Sequence, residues 1–210
     1  DFDLTRARLS AYDCLFLPTC ACLADEVLDL LREFVGKGGN LVSGFDTSLY
    51  DENGVRRTDF GLTDVFGVSF TGRERTYATF DYFSRCGENP FFTDINVPFL
   101  PAPGFGIEVI PAKNAEVIAR FHAPMPGRYV PLTEQDIPAI IAHRYGKGAS
   151  LYFAGTFGEM ACEYAPVEYR KLFENAARLL SRIPVRLEGA ANVEVTVRTQ
   201  PGRLIIHMVN

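Results

Sequence analysis

The feature that most constrains the fold lies in residues 12–45, where two short apolar runs flank an amphipathic segment. The first run, YDCLFLPT, occupies residues 12–19, and the second, NLVSGF, occupies residues 40–45. Between them, apolar residues recur at helical spacing: Leu23, Val27, Leu30, Leu31 and Phe34. This pattern predicts a strand, a helix and a strand joined by short connections, with parallel strands and a right-handed crossover. The chain is therefore predicted to be an α/β protein.

The second half of the chain adds a hairpin and a long helix. Two apolar strands, at 138–144 and 149–154, flank Gly146-Lys147-Gly148 and predict the hairpin. Residues 167–183 have helical periodicity, and Pro184 ends the pattern. After it, NVEVTVRTQPGRLIIHMVN alternates apolar and polar residues around a Pro-Gly turn, which predicts an antiparallel hairpin. We therefore divide the chain into an α/β domain, 1–184, and the beginning of a C-terminal β domain, 185–210.

The middle of the chain gives weaker patterns. Prolines and aromatic residues are frequent in 69–136, and little periodicity is present there, so we expect an excursion from the sheet and not a second domain. The elements predicted in this region are a short helix within 59–68 and strands at 76–80, 107–110 and 116–121.

Charge and cysteine usage exclude several classes of function. The net charge of −5 gives no electrostatic support for a nucleic-acid partner. No apolar run approaches the roughly 20 residues that cross a bilayer, so no membrane partner is predicted. The cysteine count is odd and no zinc-ligand spacing is present, so we predict thiols in a reducing, cytoplasmic compartment, no metal and no other cofactor. The cysteines are Cys14, Cys20, Cys22, Cys86 and Cys162.

Several segments, in their order and spacing, resemble one family. They are YDCLFLP, the corner FVGKGGNLV, the stretch YDENGVRRTDFGLTDVFGV, the hairpin YGKGASLYFAG and the closing VEVTVRTQPGRLIIHMVN. Together they are similar to the middle, or trimerisation, domain of family 42 β-galactosidases and of related glycoside-hydrolase-like proteins.

The resemblance implies a fold and a division of labour. The fold is a flavodoxin-like, three-layer sandwich of the class I glutamine amidotransferase type. Catalysis belongs to a separate TIM barrel that is N-terminal to this domain and carries two glutamates. The implied partners of this chain are copies of itself, with a trimer as the family's state, that barrel, and carbohydrate. The implied function is a non-catalytic oligomerisation and accessory domain that forms one wall of the barrel's sugar site.

The resemblance also shows where an amidotransferase site would lie. Such an enzyme needs a cysteine at the tight turn after a central strand, a histidine beside it and a carboxylate that orients the histidine. The strand 40–45 runs instead into Phe45-Asp46-Thr47. At the end of SLYFAG, Thr156 occupies the histidine position and Glu159 the carboxylate position. The sequence therefore predicts that the ancestral activity is lost.

Residues around this lost site are the candidates for ligand contact: Phe45, Asp46, Thr47, Tyr50, Thr156 and Glu159. Asp46 and Thr47 also have the size and polarity to bind backbone groups, and this structural role is the competing interpretation. Arg56 and Arg57 lie beside several acidic residues and are candidates for ion pairs across a subunit contact. The aromatic residues that are candidates for core packing, apolar contact or sugar stacking are Phe45, Tyr50, Phe60, Tyr77, Phe80, Tyr82 and Phe83.

Two alternative functions stay open at this point. Cys20 or Cys22 follows the first strand and is the candidate nucleophile of a cysteine-dependent, amidotransferase-like hydrolase. No histidine is placed near these cysteines by the local sequence, and His122, His143 and His207 are predicted to have structural or surface roles. The other alternative is a carbohydrate-binding module that acts alone.

Overall fold

A computed structural model describes residues 4–77, 81–124, 131–182 and 193–209 of the chain. The helices are α1 (Arg6–Leu9), α2 (Asp25–Gly36), α3 (Thr63–Phe66), α4 (Phe157–Glu163) and α5 (Val167–Leu180), with a 3-10 turn at Pro90–Phe92. The first six strands are β1 (Cys14–Leu17), β2 (Asn40–Gly44), β3 (Val68–Thr76), β4 (Tyr82–Arg85), β5 (Leu100–Pro101) and β6 (Phe105–Pro111). The others are β7 (Glu116–His122), β8 (Glu134–Tyr145), β9 (Gly148–Phe153), β10 (Glu194–Gln200) and β11 (Arg203–Val209).

A seven-stranded mixed sheet in the order β1-β2-β9-β8-β7-β4-β5 forms the centre of the fold. The strands β1, β2 and β9 are parallel, and every later pair in the order is antiparallel. The predicted strand-helix-strand unit is confirmed, since β1 and β2 pair in parallel on either side of α2. The predicted hairpin is confirmed as β8 and β9, which pair from Ile140 opposite Phe153 to Tyr145 opposite Gly148.

Helices cover both faces of this sheet. Successive residues of β9 point to opposite sides, so Tyr152 and Phe153 contact different helices. The ring of Tyr152 stacks on Phe66 of α3 with 5.1 Å between the ring centroids. On the other face, Phe153 packs against Phe157 of α4 at 5.0 Å and Phe173 of α5 at 5.3 Å. The helix α2 lies beside α3, since the Arg32 side chain on α2 binds Asp64 on α3 at 3.1 Å. The predicted three-layer α/β architecture is confirmed.

The helix α2 forms where it does because of its charges and its apolar face. Asp25 and Glu26 occupy its first turn, where carboxylates interact favourably with the helix dipole. The predicted face is shifted in the structure, because the helix begins after Leu23. Its buried residues are Leu28, Leu31, Phe34 and Val35, while Val27 and Leu30 are half-buried.

The region 69–136 contributes strands to two sheets. The strands β4, β5 and β7 extend the central sheet, while β3 and β6 form a separate antiparallel pair whose register shifts between Phe70 and Glu74. The predicted strands 107–110 and 116–121 are confirmed inside β6 and β7. The strand predicted at 76–80 falls mainly on residues 78–80, which lie outside the described residues, so it stays a prediction. Of its first two residues, Thr76 is the last residue of β3 and Tyr77 follows the strand.

The ends of two predicted helices differ from the structure. The short helix expected within 59–68 is only Thr63–Phe66, and it ends at Gly67, whose φ of 67° is left-handed. The helix predicted at 167–183 ends at Leu180. The C-terminal hairpin is confirmed as β10 and β11. The proposed domain boundary between 184 and 185 lies outside the described residues and stays a prediction.

Candidate functional site at the carboxyl ends of the parallel strands

The three parallel strands end at one edge of the sheet, and the turn after β2 is tightly enclosed there. A Cβ atom built on Gly44 would lie 3.0 Å from the Pro18 carbonyl oxygen and 3.2 Å from that of Phe153. The Gly155 carbonyl oxygen would be 3.4 Å away. These approaches are tight even for a methyl group, so a side chain at this position would push backbone carbonyls apart. The backbone following β1 and β9 therefore packs directly against the turn that follows β2.

The turn after β2 begins with a left-handed residue, as a nucleophile elbow does, but that residue is not a nucleophile. Phe45, the first residue after the strand, has a φ of 50°, which is rare for a residue with a large side chain. Its N–H donates to the Phe153 carbonyl at 2.8 Å, and the Tyr152 hydroxyl donates to the Phe45 carbonyl at 2.5 Å. The surrounding structure holds this strained residue in place. Its side chain is a half-buried phenyl ring with no reactive atom.

Thr47 is buried, and its hydroxyl binds the backbone of two neighbouring turns. The hydroxyl donates to the Gly44 carbonyl at 2.6 Å, lies 3.1 Å from the Leu17 carbonyl, and accepts the N–H of Cys20 at 3.1 Å. These contacts join the segment after β1 to the segment after β2. Of the two interpretations of Thr47, the structure therefore supports the structural one.

Asp46 is half-buried beside these contacts. Its Oδ1 atom is buried and has no hydrogen-bond partner among the described residues. Burial raises the pKa of this carboxyl group, and the charge of Glu74 nearby raises it further. Asp46 therefore has one carboxyl oxygen that no described residue compensates.

The two positions expected to hold a histidine and its carboxylate have different surroundings. Thr156 is buried, and it binds Phe105 twice: its N–H donates to the Phe105 carbonyl at 3.0 Å, and its hydroxyl accepts the Phe105 N–H at 3.3 Å. Glu159 is exposed in the first turn of α4. The structure thus places Thr156 in the backbone framework and leaves Glu159 as a surface carboxylate.

Tyr50 and the two arginines are fixed by contacts within the chain. The backbone of Tyr50 bonds Ala21 and Leu23 at 3.0 and 3.1 Å. Arg57 binds Asp25 at 2.7 Å and the Leu23 carbonyl at 3.0 Å. Arg56 pairs with Glu74 at 3.0 Å and lies over the Phe70 ring, 4.9 Å from its centroid. A subunit contact through these arginines stays a prediction, and each already has a partner in its own chain.

The cysteines are poorly placed for nucleophilic catalysis. Burial, and after it the Asp46 charge, raises the pKa of Cys20, and burial raises the pKa of Cys14 to about 11. His143, which is buried, bonds the Val65 carbonyl through Nδ1 at 3.0 Å and Asn114 through Nε2 at 2.9 Å. His122 bonds the Ser84 hydroxyl at 2.9 Å. Both of these histidines therefore have partners other than a thiol.

Little space remains beside the elbow. The cavity next to Gly44 on the α5 side has a volume of about 10 Å³, and its lining includes Pro18, Phe157 and Phe173. This volume accommodates about one water molecule. In the described part of the chain, no group of three or more His, Cys, Asp or Glu side chains is arranged to hold a metal ion. Among the same residues, no helix is long and apolar enough to cross a membrane.

Comparison with known protein families decides the relationship. The family model described as the β-galactosidase trimerisation domain matches residues 1–178. The chain belongs to this family. No curated protein matches this trimerisation-domain chain.

Solved structures show the same fold at low sequence identity. An α-L-fucosidase isoenzyme 2 from Paenibacillus thiaminolyticus matches 100% of the trimerisation-domain chain with a TM-score of 0.75 and 18% identity. A β-galactosidase from Bacillus circulans sp. alkalophilus matches 94% with a TM-score of 0.72 and 18% identity. The chain spans only 31% and 27% of those two proteins. The cytoplasmic protein STM1381 from Salmonella typhimurium LT2 matches over 85% of this chain and 76% of its own, with a TM-score of 0.62 and 14% identity.

Phe105 is the residue of this edge that sequence reasoning missed. It is 50% exposed and joined to Thr156, so it borders the turn after β9 in the trimerisation domain. Phe45 borders the same turn through its bond to Phe153. The available signal was a single aromatic residue between two glycines in PAPGFG, which gives no periodicity.

Proposed function

We propose that this chain is a non-catalytic oligomerisation and accessory domain of a glycoside-hydrolase-like protein. The observation that carries the proposal is the elbow after β2, which keeps a left-handed residue but presents Phe45 where a nucleophile is required. The family to which the chain belongs supports the same role. The catalytic residues would lie in a separate barrel, and this chain would contribute to assembly and to the shape of the sugar site.

The absence of amidotransferase chemistry follows from what the local groups do. An acyl-transfer step needs a nucleophile with a raised thiolate fraction and a base within hydrogen-bonding reach. The hydroxyl of Thr47 donates to a backbone carbonyl, and that of Thr156 accepts a backbone N–H. The pKa of Cys20 is raised, which lowers the thiolate fraction at neutral pH. The groups at this edge therefore favour structural stability over catalysis.

Self-association is the first part of the proposal and has a direct test. Light scattering on the 210-residue chain should give about three times the monomer mass of 23.3 kDa. The mass should fall towards the monomer on dilution, because association depends on concentration. A monomeric mass at every concentration would contradict the role in oligomerisation.

The second part is a wall at the sugar site, formed by the strand-end surface. Phe45 and Phe105 border the same turn, and Asp46 and Glu159 add carboxyl groups beside it. Aromatic faces and hydroxyl-binding carboxylates are the groups that recognise a sugar ring. Phe45, Asp46, Tyr50 and Glu159 are the proposed contact residues, joined by Phe105, while Thr47 and Thr156 support the turns.

The wall is tested in a polypeptide that joins this chain to a glycosidase barrel. Phe105→Ala should raise KM for a galactoside and leave kcat unchanged, since the ring contacts ground state and transition state alike. Ile110→Ala is the matched control, because Ile110 is exposed on the same strand, β6, and 62% accessible. Equal KM values for both variants would argue against a wall at this edge.

We also propose a cytoplasmic location. All five cysteines lie in the described part of the chain and are present as thiols. Thiols that form no disulfide are typical of reducing compartments. STM1381, which shares the fold over most of its own length, is itself described as cytoplasmic. Fractionation of the native source and a search for the chain in the soluble cytoplasmic fraction tests this location.

A further inference from the structure

A concave surface lies where β4 and β7 meet. It is separate from the strand-end edge, the edge of the sheet at which the parallel strands β1, β2 and β9 end. Its pocket has a volume of about 600 Å³ and is lined by Ser84, Arg85, Gly87, Glu88, Pro98, Phe99, His122 and Leu132. The strand β4 is three positions from β9 in the sheet, so the pocket is about 14 Å from the parallel strands. The volume is within the range of small-molecule sites.

Two buried polar side chains form the floor of this pocket. Ser84 is 8% exposed and His122 is 7% exposed, and the hydroxyl of Ser84 lies 2.9 Å from His122 Nε2. The Nδ1 atom of His122 is buried and has no hydrogen-bond partner in the described part of the chain. A neutral imidazole carries one N–H, and a buried N–H without a partner is unfavourable. We therefore assign the N–H to Nε2, which donates to Ser84 and leaves the Ser84 hydroxyl hydrogen available to a ligand.

The rim supplies the other groups that a ligand would contact. Phe99 is 39% exposed, and Tyr82 holds its ring in an edge-to-face contact with 4.8 Å between the centroids. The half-buried Arg85 and the exposed Glu88 form an ion pair of 3.4 Å beside it. The pocket thus offers one aromatic ring, one hydroxyl and one guanidinium that donate, and one carboxylate that accepts.

We propose that this pocket binds a single neutral sugar ring. A pyranose has an apolar C–H face that packs on an aromatic ring and hydroxyls that both donate and accept. The C–H face would lie on Phe99, and the hydroxyls would bind Ser84, Arg85 and Glu88. An anionic ligand fits less well, because the Glu88 carboxylate stands beside the only cation among the lining residues that the structure describes. The site does not depend on the proposed wall at the strand ends.

The test is an NMR titration of the 15N-labelled chain with methyl β-galactoside. The amide signals of residues 84–88 and 99 should shift together, with a Kd of about 1 mM, as expected for a small, solvent-exposed ligand. The 15N chemical shifts of the His122 ring should also change, because Nε2 bonds the Ser84 hydroxyl that would bind the sugar. Mannitol is the control ligand, because it has hydroxyls but no ring, and it should shift none of these signals.

Variants separate this site from the strand-end edge. Phe99→Ala should weaken binding about tenfold, and Phe99→Tyr should retain it because the ring is kept. Ser84→Ala should weaken binding and abolish the change at His122. Phe16→Ala changes a phenylalanine of similar exposure, 41%, on β1 at the opposite end of the sheet, and it should have no effect. No shift with the galactoside, or loss of binding in Phe16→Ala instead of Phe99→Ala, would overturn the proposal.

Discussion

At the scale of single residues, the strand-end edge has a strained backbone at one residue and, at the next, a buried oxygen without a hydrogen bond to any described residue. Phe45 has a left-handed backbone, and Asp46 next to it has a buried oxygen without a partner among the described residues. Such features are usually retained where a site needs them. Here the hydroxyls of Thr47 and Thr156 bind backbone groups, so the strained turn is held by contacts within the chain.

Because the backbone of Phe45 is left-handed, glycine should be tolerated better than alanine at this position, which is the reverse of the order in a helix. Phe45→Gly should be more stable than Phe45→Ala by about 1 kcal/mol, because glycine adopts positive φ without the Cβ penalty. Both variants lose the same ring contacts. At the exposed helical residue Glu174 the order should be reversed, with alanine more stable by about 1 kcal/mol. Urea unfolding measures both pairs, and the same order at both positions would contradict the strain.

The raised pKa of Asp46 predicts that the stability of the folded chain depends on pH. The pKa of Asp46 is raised in the folded state above its unfolded value. The protonated carboxyl group therefore adds to the free energy of unfolding at low pH, and this stabilisation is lost as pH rises through the folded pKa. Asp46→Asn should therefore stabilise the chain at pH 7, and the gain should disappear below the reference value of 3.8.

Asp13 is the control of opposite sign for the same measurement. Hydrogen bonds from Arg182 lower the pKa of Asp13, so its contribution is present at neutral pH and is lost as pH falls through the folded pKa. Asp13→Asn should destabilise the chain at pH 7, with the loss shrinking in acid. Urea unfolding at several pH values compares the two variants, and parallel pH profiles would show that burial of Asp46 is not the cause.

At the scale of elements, the end of α3 is fixed by a close contact with β8. Gly67 has a φ of 67°, and a Cβ atom there would clash with the ring of His143. Gly67→Ala should therefore destabilise the chain by about 3 kcal/mol, from backbone strain and overpacking together. Gly72→Ala is the control, since Gly72 has a φ of 87° but nothing within 4 Å, and it should lose only about 1 kcal/mol. Equal losses of unfolding free energy in the two variants, measured by thermal or urea unfolding, would show that the contact with His143 does not contribute to the destabilisation.

The elements that the sequence predicted are those with strong periodicity. The strands β2, β8 and β9 are bounded by glycine corners, and α2 has a clear apolar face, so local pattern and tertiary structure agree. The strands β4 and β5 were missed because they have four and two residues in a region rich in proline. The helix α4 was missed because its start, Thr-Phe-Gly-Glu, was interpreted only as a site motif.

Sequence reasoning placed Phe45 and Thr156 just after two strands, and in the structure they follow the parallel strands β2 and β9. A ligand at this edge stays a prediction, based on the rule that binding residues follow parallel strands. The bonds from Thr156 to Phe105 join residues 51 positions apart, and no local pattern reveals such a contact. The pairing of Ser84 with His122 likewise depends on the register of β4 and β7, which a sequence without periodicity does not determine.

At the scale of the whole molecule, the central question is whether any thiol behaves as an active-site group. A catalytic cysteine would have a lowered pKa and would react first with an alkylating reagent at neutral pH. In this chain the order should follow exposure instead, with the exposed Cys22, Cys86 and Cys162 modified first and the half-buried Cys20 and Cys14 last. A pKa of about 11 for Cys14, against an ordinary 9.0, corresponds to about a hundredfold less thiolate.

Mass spectrometry of tryptic peptides after timed alkylation gives the rate at each cysteine. Cys22→Ser is the control, because it removes the exposed neighbour in Cys20-Ala21-Cys22 and lets the rate at Cys20 be measured alone. Alkylation in urea should make all five cysteines react at similar rates, which shows that the fold sets the order. If Cys20 in the folded chain reacted faster than Cys162 at neutral pH, an activated thiol would be present near the ends of the parallel strands, and the result would favour a cysteine-dependent hydrolase over a non-catalytic domain.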